Sequence, residues 1–297
     1  MNAPHHHTAA VSATMENPVG AFLRKASVEI TPKQIEKLPV LVSKLAEGTN
    51  IFIALIDPTD VENQINAAAA LKSAGLNPIP HIPARFVRDE DDLKARMAAF
   101  AKVGVTDILA LGGGAPEPIG KFDAAIQLME TGTFEANGIA RIGIAGHPEG
   151  NPDITRHHGE AALFKALLEK QAWLKEKNIK GFVATQFLFD AGPLALWASN
   201  LREAGIDLPL SVGVPGPASI KTLVRYAAMC GVGNSARFIR KQALNITKLL
   251  TVSTPDEFVD QLATLHFDKP SLNIAAPHMY PFGGFDKLFD WMGPKLS

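Results

Sequence analysis

The sequence predicts an α/β protein built as a single (β/α)8, or TIM, barrel. Three observations predict it. Eight short β-rich runs alternate with helix-patterned segments over roughly 270 residues, the count and length of that fold. No linker-like segment divides the chain after its first 24 residues. Polar and glycine residues collect at the ends of the β-rich runs, where such barrels carry their chemistry. The rival, an open doubly wound sheet, usually has fewer strands or a second domain.

Residues 1–24 read as a mobile N-terminal tail, and residues 25–297 as the barrel domain. The tail has no basic start followed by an apolar core, so it is not read as a secretion signal. Its triplet His5, His6 and His7 has metal-binding side chains, but a disordered triplet is the simpler account, and no metal is assigned. The pattern then predicts the first strand at Ala26–Ile30 and a helix at Pro32–Leu45. Asn50–Ile56 and Val61–Ala74 form the second pair. Pro78–Ile82 is a less regular third strand. The helix Asp89–Val103 follows, with acids in its first turn and Lys102 near its end, as a helix dipole favours. Asp107–Leu111 runs into three glycines, with Lys121–Glu130 behind. Ala140–Ala145 leads into the polar loop His147–Asp153 and the helix Gly159–Lys177. Gly181–Thr185 and Pro193–Ala204 form the sixth pair. Leu208–Val214 is the seventh strand, followed by helices at Ser219–Cys230, Ser235–Thr251 and Pro255–Leu265. Leu272–Ala275 is the eighth strand, and Phe285–Met292 closes the chain.

Composition narrows the function. Hydrophobic residues make up 46% of the chain, enough for a large core, and the formal net charge of −1 argues against a nucleic-acid partner. The single cysteine, Cys230, forms no intramolecular disulfide and fits a reducing, cytoplasmic setting. No apolar run approaches the ~20 residues of a membrane span, so no membrane partner is expected. Whether copies associate into a homo-oligomer is left open.

The strand ends offer the candidate chemistry. Strand alternation puts Ser27 and Glu29 on the face opposite Val28 and Ile30, and in a barrel that face is the interior. A carboxyl group there is costly to ionise and suits proton donation near neutral pH; pairing with a barrel cation is the alternative. Gln186 follows a buried strand, and its amide can both donate and accept toward a flat heterocycle; it would serve equally as a loop cap. Gly112, Gly113 and Gly114 let backbone approach a ligand, although a tight turn explains them as well. His157 and His158 lack a partner at zinc-ligand spacing.

Taken together, these strand ends resemble the methylenetetrahydrofolate reductase family. The resemblance is carried, in order, by Glu29 in SVEIT, His81 in PHIP, DILALGGGAP, IGIAGHPEGNPD, VATQFLFD, AGIDLPLSVGVPG and VRYAAMCG. It implies a barrel that holds FAD at the strand ends and takes a folate substrate. The implied reaction interconverts 5,10-methylenetetrahydrofolate and 5-methyltetrahydrofolate by hydride transfer, in one-carbon metabolism and methionine biosynthesis. NADH or NADPH typically reloads the flavin. By the same resemblance Glu29 is the general acid on the folate nitrogen, and Gln186 contacts folate and nicotinamide. Tyr226 stacks on the substrate ring, while His81, Gly112–Gly114, His147, Asn151, Gln171 and Lys175 fall at cofactor-binding positions.

The departures also carry information. The family usually has L-R-G-D-x-P where this chain has Leu111–Gly112–Gly113–Gly114–Ala115–Pro116, so an arginine and an aspartate are both replaced by glycine. The usual tyrosine before P-E is His147. Loss of a carboxylate beside a flavin favours its anionic reduced form, which predicts easier oxidation of 5-methyltetrahydrofolate. Loss of the arginine removes a phosphate partner and leaves two alternatives open: flavin-independent transfer between NADH and folate, or a folate- or flavin-binding protein without catalysis.

Overall fold

The computed structural model describes residues 17–159, 161–229 and 251–296, without the side chains of residues 153, 157 and 158. The histidine triplet, Cys230 and the helix expected at Ser235–Thr251 (save its last residue) lie outside the described residues.

Eight parallel strands close into a barrel among the described residues. They are β1 (Ser27–Ile30), β2 (Asn50–Ile53), β3 (Asn77–Pro83), β4 (Asp107–Leu111), β5 (Arg141–Gly146), β6 (Lys180–Phe187), β7 (Leu210–Pro215) and β8 (Ile274–Tyr280). β8 closes the ring between β7 and β1, with His278 paired to both Gly213 and Ser27. Outward residues such as Val28, Ile51, Ile108, Ile142, Val183 and Val212 are buried under the surrounding helices.

The interior is layered, as strand alternation in a closed barrel requires. At the N-terminal end, Arg141 pairs with Asp107 at 2.7 Å, and Asn77 donates to Asn50 and to Asp107. Above them Phe52, Ile79, Leu109, Phe182 and Ala184 form an apolar plug. Glu29, His81 and His278 come next, toward the C-terminal mouth. The plug makes the mouth one-sided: a ligand enters from the strand ends and meets this polar layer.

Several boundaries differ from expectation. The tail ends earlier than predicted, because Pro18–Leu23 is a helix. Asn17 caps it by accepting from the Val19 N–H, and Pro18 stands at its first turn, where its missing N–H costs nothing. Phe22 and Leu23 are buried, and the helix packs against Asp256–Asp268 and Phe285–Leu296. The loop after β5 becomes a helix at Pro152–His158, and the helix expected at Lys121–Glu130 shrinks to Ala125–Met129. β6 and β8 both run further than predicted, which places Gln186, His278 and Tyr280 inside strands rather than after them.

Candidate active site

The site begins with a break in the β6–β7 ladder. The register shifts between Ala184, paired with Ser211, and Phe187, paired with Gly213, so Thr185 and Gln186 form an irregularity opposite Val212. The Thr185 hydroxyl fills the gap: it accepts the Gly213 N–H at 2.9 Å and donates to the Gln186 carbonyl at 2.7 Å. An extra residue in a strand redirects its side chains. Here the Gln186 side chain comes beside His147, just after β5.

His147 closes a turn in which Gly150 N–H donates to the His147 carbonyl at 3.0 Å. Burial holds the His147 imidazole down at about 4, with the neighbouring Gln186 amide opposing the shift and the Lys170 charge adding to it. The ring is therefore neutral at physiological pH, and its Nδ1 is buried without a hydrogen-bond partner among the described residues. Lys170 itself, on the helix Ala161–Glu176, is lowered by burial to about 8. Asn151 starts the helix Pro152–His158, its carbonyl accepting from Thr155 N–H at 2.8 Å.

Glu29 sits inside the barrel, its side chain 21% exposed, between two imidazoles. His278 Nε2 lies 3.3 Å and His81 Nε2 3.6 Å from Glu29 Oε2. His278 Nδ1 meets the buried Ser27 hydroxyl at 2.8 Å. The consistent proton assignment has Ser27 donating to Nδ1 and Nε2–H donating to Glu29. His81 is pushed down to about 4 by burial, with His278 adding and Glu29 opposing, so it too is neutral at pH 7. Gln64, buried behind β2 and β3, donates to the Ile53 and His81 carbonyls and fixes this corner.

The remaining predicted residues divide. The Gly112–Gly114 loop forms part of the rim. Gly113 has φ +98°, and a Cβ there would lie 3.0 Å from Pro83 Cβ. Arg85 pins the loop, donating its N–H to the Gly112 carbonyl and its guanidinium to Ala115 and Asp123. Tyr226 stacks on Phe282 at 4.1 Å, Phe282 stacks on Tyr280, and Tyr280 meets the His278 ring edge-on at 4.7 Å. A line of rings therefore leads from the rim toward Glu29. Gln171 and Lys175, by contrast, are not at the mouth, which corrects the expectation for both. The Gln171 amide bridges the Gly205 carbonyl and the Asp207 N–H, ahead of β7, and Lys175 pairs with Asp207.

These groups fit a flat heterocycle with mixed donor and acceptor edges. Gln186, the buried His147 Nδ1 and the glycine loop face one mouth, and a Cβ at Gly114 would meet nothing within 4 Å. Among the described residues no group of three or more His, Cys, Asp or Glu side chains could hold a metal ion. A separate cleft of about 180 Å³, lined by Phe189, Asp190, Pro215, Leu223, Thr254 and Phe258 among others, contains none of Glu29, His81, His147, Gln186 or His278.

The model of the family described as methylenetetrahydrofolate reductase matches residues 31–240, more than half of the chain. The chain belongs to the methylenetetrahydrofolate reductase family. A probable methylenetetrahydrofolate reductase (NADPH) of Caenorhabditis elegans is 26% identical over 211 residues, covering 63% of this chain and 29% of that protein. Methylenetetrahydrofolate reductase 2 of Saccharomyces cerevisiae is 28% identical over 170 residues, covering 54% and 26%. Methylenetetrahydrofolate reductase (NADH) 1 of Zea mays is 27% identical over 136 residues, covering 43% and 23%. The chain thus spans under a third of the length of these curated relatives. The family match takes in β2 to β7 and begins just past Glu29, so β1 and β8 are placed by the barrel itself.

Sequence reasoning gave no role to Ser27 and Gln64, and placed His278 only as a residue following the eighth strand. Ser27 shares the inward face with Glu29, which was a usable signal. His278 stood beyond the predicted end of β8, and Gln64 lies on a helix whose pattern gives no hint that it reaches two strand carbonyls.

Proposed function

We propose that this member of the methylenetetrahydrofolate reductase family is an oxidoreductase that interconverts 5,10-methylenetetrahydrofolate and 5-methyltetrahydrofolate. One observation carries the reading: a carboxyl group, Glu29, stands at the base of a one-sided mouth with the His278 N–H on its oxygen. Opening the one-carbon bridge of the methylene folate requires a proton at the departing nitrogen. Glu29 delivers it, and takes it back in the oxidative direction. Gln186 orients the ring by donating and accepting, with its backbone held by Thr185 and its side chain set beside His147. Tyr226, Tyr280 and Phe282 supply flat apolar surface for a pterin.

FAD, when bound, supplies a hydride acceptor and donor between nicotinamide and folate. His147, Gln186 and the glycine loop would hold its ring. The family carboxylate is absent at Gly114, and Asp123 on the same rim is neutralised by Arg85 at 2.7 Å. With less negative charge near the ring, the reading favours oxidation of 5-methyltetrahydrofolate. A second reading, direct hydride transfer between NADH and folate, is favoured by the state of Arg85. Its guanidinium is already committed to Asp123 and Ala115, so it makes a poor partner for a cofactor phosphate.

An anaerobic absorption spectrum of the purified protein tests both. A flavin band that bleaches with 5-methyltetrahydrofolate supports the first reading. No flavin band after adding FAD, together with folate-dependent NADH turnover, supports the second. No folate turnover by either route overturns the proposal.

A further inference from the structure

The mouth has a chemical direction. Glu29 and His278 lie at its base. Rings lead away from them in steps: Tyr280 meets His278 at 4.7 Å, Phe282 stacks on Tyr280 at 5.4 Å, and Tyr226 stacks on Phe282 at 4.1 Å. A cation ends the line, because the Arg225 guanidinium lies over the Tyr226 ring, 5.1 Å from its centre. Tyr226 and Arg225 belong to the helix Ile220–Met229, which buries Ile220, Leu223 and Ala227. Lys221 and Arg225, four residues apart, are neighbours on its exposed side. That helix has no acidic residue, and neither cation forms an ion pair among the described residues. The loop after β8, residues 281–284, has no charged side chain, so the charge at this end of the line comes from the helix. The ring contact restrains the guanidinium and leaves its N–H edge to grip a carboxylate at two points.

We propose that Arg225, assisted by Lys221, holds the glutamate carboxylates of the folate substrate and so fixes which end of the substrate reaches Glu29. The proposal rests on the reading of the mouth as a folate site, and adds the direction of the substrate and the residue that selects for its tail. A folate is laid out in the same order as the mouth. Its pterin carries the reacting nitrogen, an aminobenzoyl ring follows, and a glutamate with two carboxylates ends it. Acid, rings and cation along the protein then meet nitrogen, rings and carboxylates along the substrate. Arg225 stands at the opposite end of the line from Glu29, so it acts on binding and not on the chemical step. With Lys221 four residues away, the tail meets two positive charges, one of them held in place by a ring.

The test is calorimetric binding and steady-state kinetics on the full chain with 5-methyltetrahydrofolate and with its bis-amide, in which both glutamate carboxylates are uncharged amides. The wild type should bind the acid about fivefold more tightly than the bis-amide, and added salt should narrow that gap. R225Q should raise Kd and KM for the acid about fivefold, hold both constants for the bis-amide within about twofold, and keep kcat. R225K, which keeps the charge without the planar fork, should recover part of the loss, and K221Q should lose less than R225Q. Equal affinity of the wild type for the two compounds, or an equal loss for both in R225Q, overturns the role of Arg225 and leaves the folate reading standing. A tail preference that depends on Arg225, without any turnover, upholds the assignment and overturns the redox reading. Binding of neither compound overturns both.

Discussion

A Cβ added at Gly213 would lie 2.6 Å from the carbonyl oxygen of Gln186. The irregularity that aims Gln186 into the mouth therefore depends on a bare backbone on the neighbouring strand. The atom in the way is main chain, so G213A cannot be absorbed by a rotamer change. We expect it to cost about 1–3 kcal/mol, as overpacking does, and to weaken folate binding by displacing Gln186. Urea unfolding and a folate titration on the same variant measure both effects.

Thr185 gives a companion prediction from the same break. Its hydroxyl occupies both the Gly213 N–H and the Gln186 carbonyl. T185V has nearly the same shape but leaves a buried N–H unpaired, at a cost of about 1–3 kcal/mol. T185S keeps the hydroxyl and should lose much less. Equilibrium unfolding of the pair separates the hydrogen bond from the packing.

E29Q keeps the size of the side chain and its ability to accept from His278, but it has no acidic proton. Loss of a positioned general acid lowers kcat by about 10²–10⁴-fold. The effect should fall on kcat rather than on KM, because the amide still fits the pocket. Steady-state kinetics with the folate substrate reads the split.

The barrel was legible because strand alternation and a polar strand end recur eight times, and each repeat constrains the next. The second half of β8 was not. Pro277 interrupts its apolar run, and a pattern of single residues stops at Ala275. Pairing on both sides, to Ser27 and to Gly213, carries the strand on through His278. The helix Pro18–Leu23 was lost for the opposite reason. Six residues are too few to show a period, and its stability comes from Phe22 and Leu23 packing on distant helices. The placement of Glu29, Gln186 and His147 at the mouth was legible, because it follows from strand position. It was illegible on the helix before β6, where each residue turns about 100° from the last. There the family resemblance singled out Gln171 and Lys175, whereas the neighbouring Lys170 is the residue whose charge acts on His147.

Gln171 therefore makes a sharp test of scaffold against site. Both ends of its amide are spent on the Gly205 carbonyl and the Asp207 N–H. Q171L should lower stability by about 1 kcal/mol for these lost bonds, with cofactor and folate affinities unchanged. A loss of affinity without a loss of stability would return Gln171 to the mouth.

The two buried histidines predict how the fold responds to acid. His81 and His147 titrate near 4 in the folded chain, against an ordinary value of 6.5. The unfolded chain takes up these protons first, so between about 6.5 and 4 it binds more protons than the native state. Stability from these groups is full above 6.5 and declines as the pH falls toward 4. Thermal unfolding should show Tm dropping across that window, and H147Q, which has no proton to take up, should show a shallower drop. The imidazole nitrogen resonances give the direct check. Both rings should keep the signature of a neutral tautomer down to about pH 5, where an ordinary histidine is already charged. A midpoint near 6.5 for His147 would mean that its ring is solvated, and that the Gln186 contact does not hold it in the mouth.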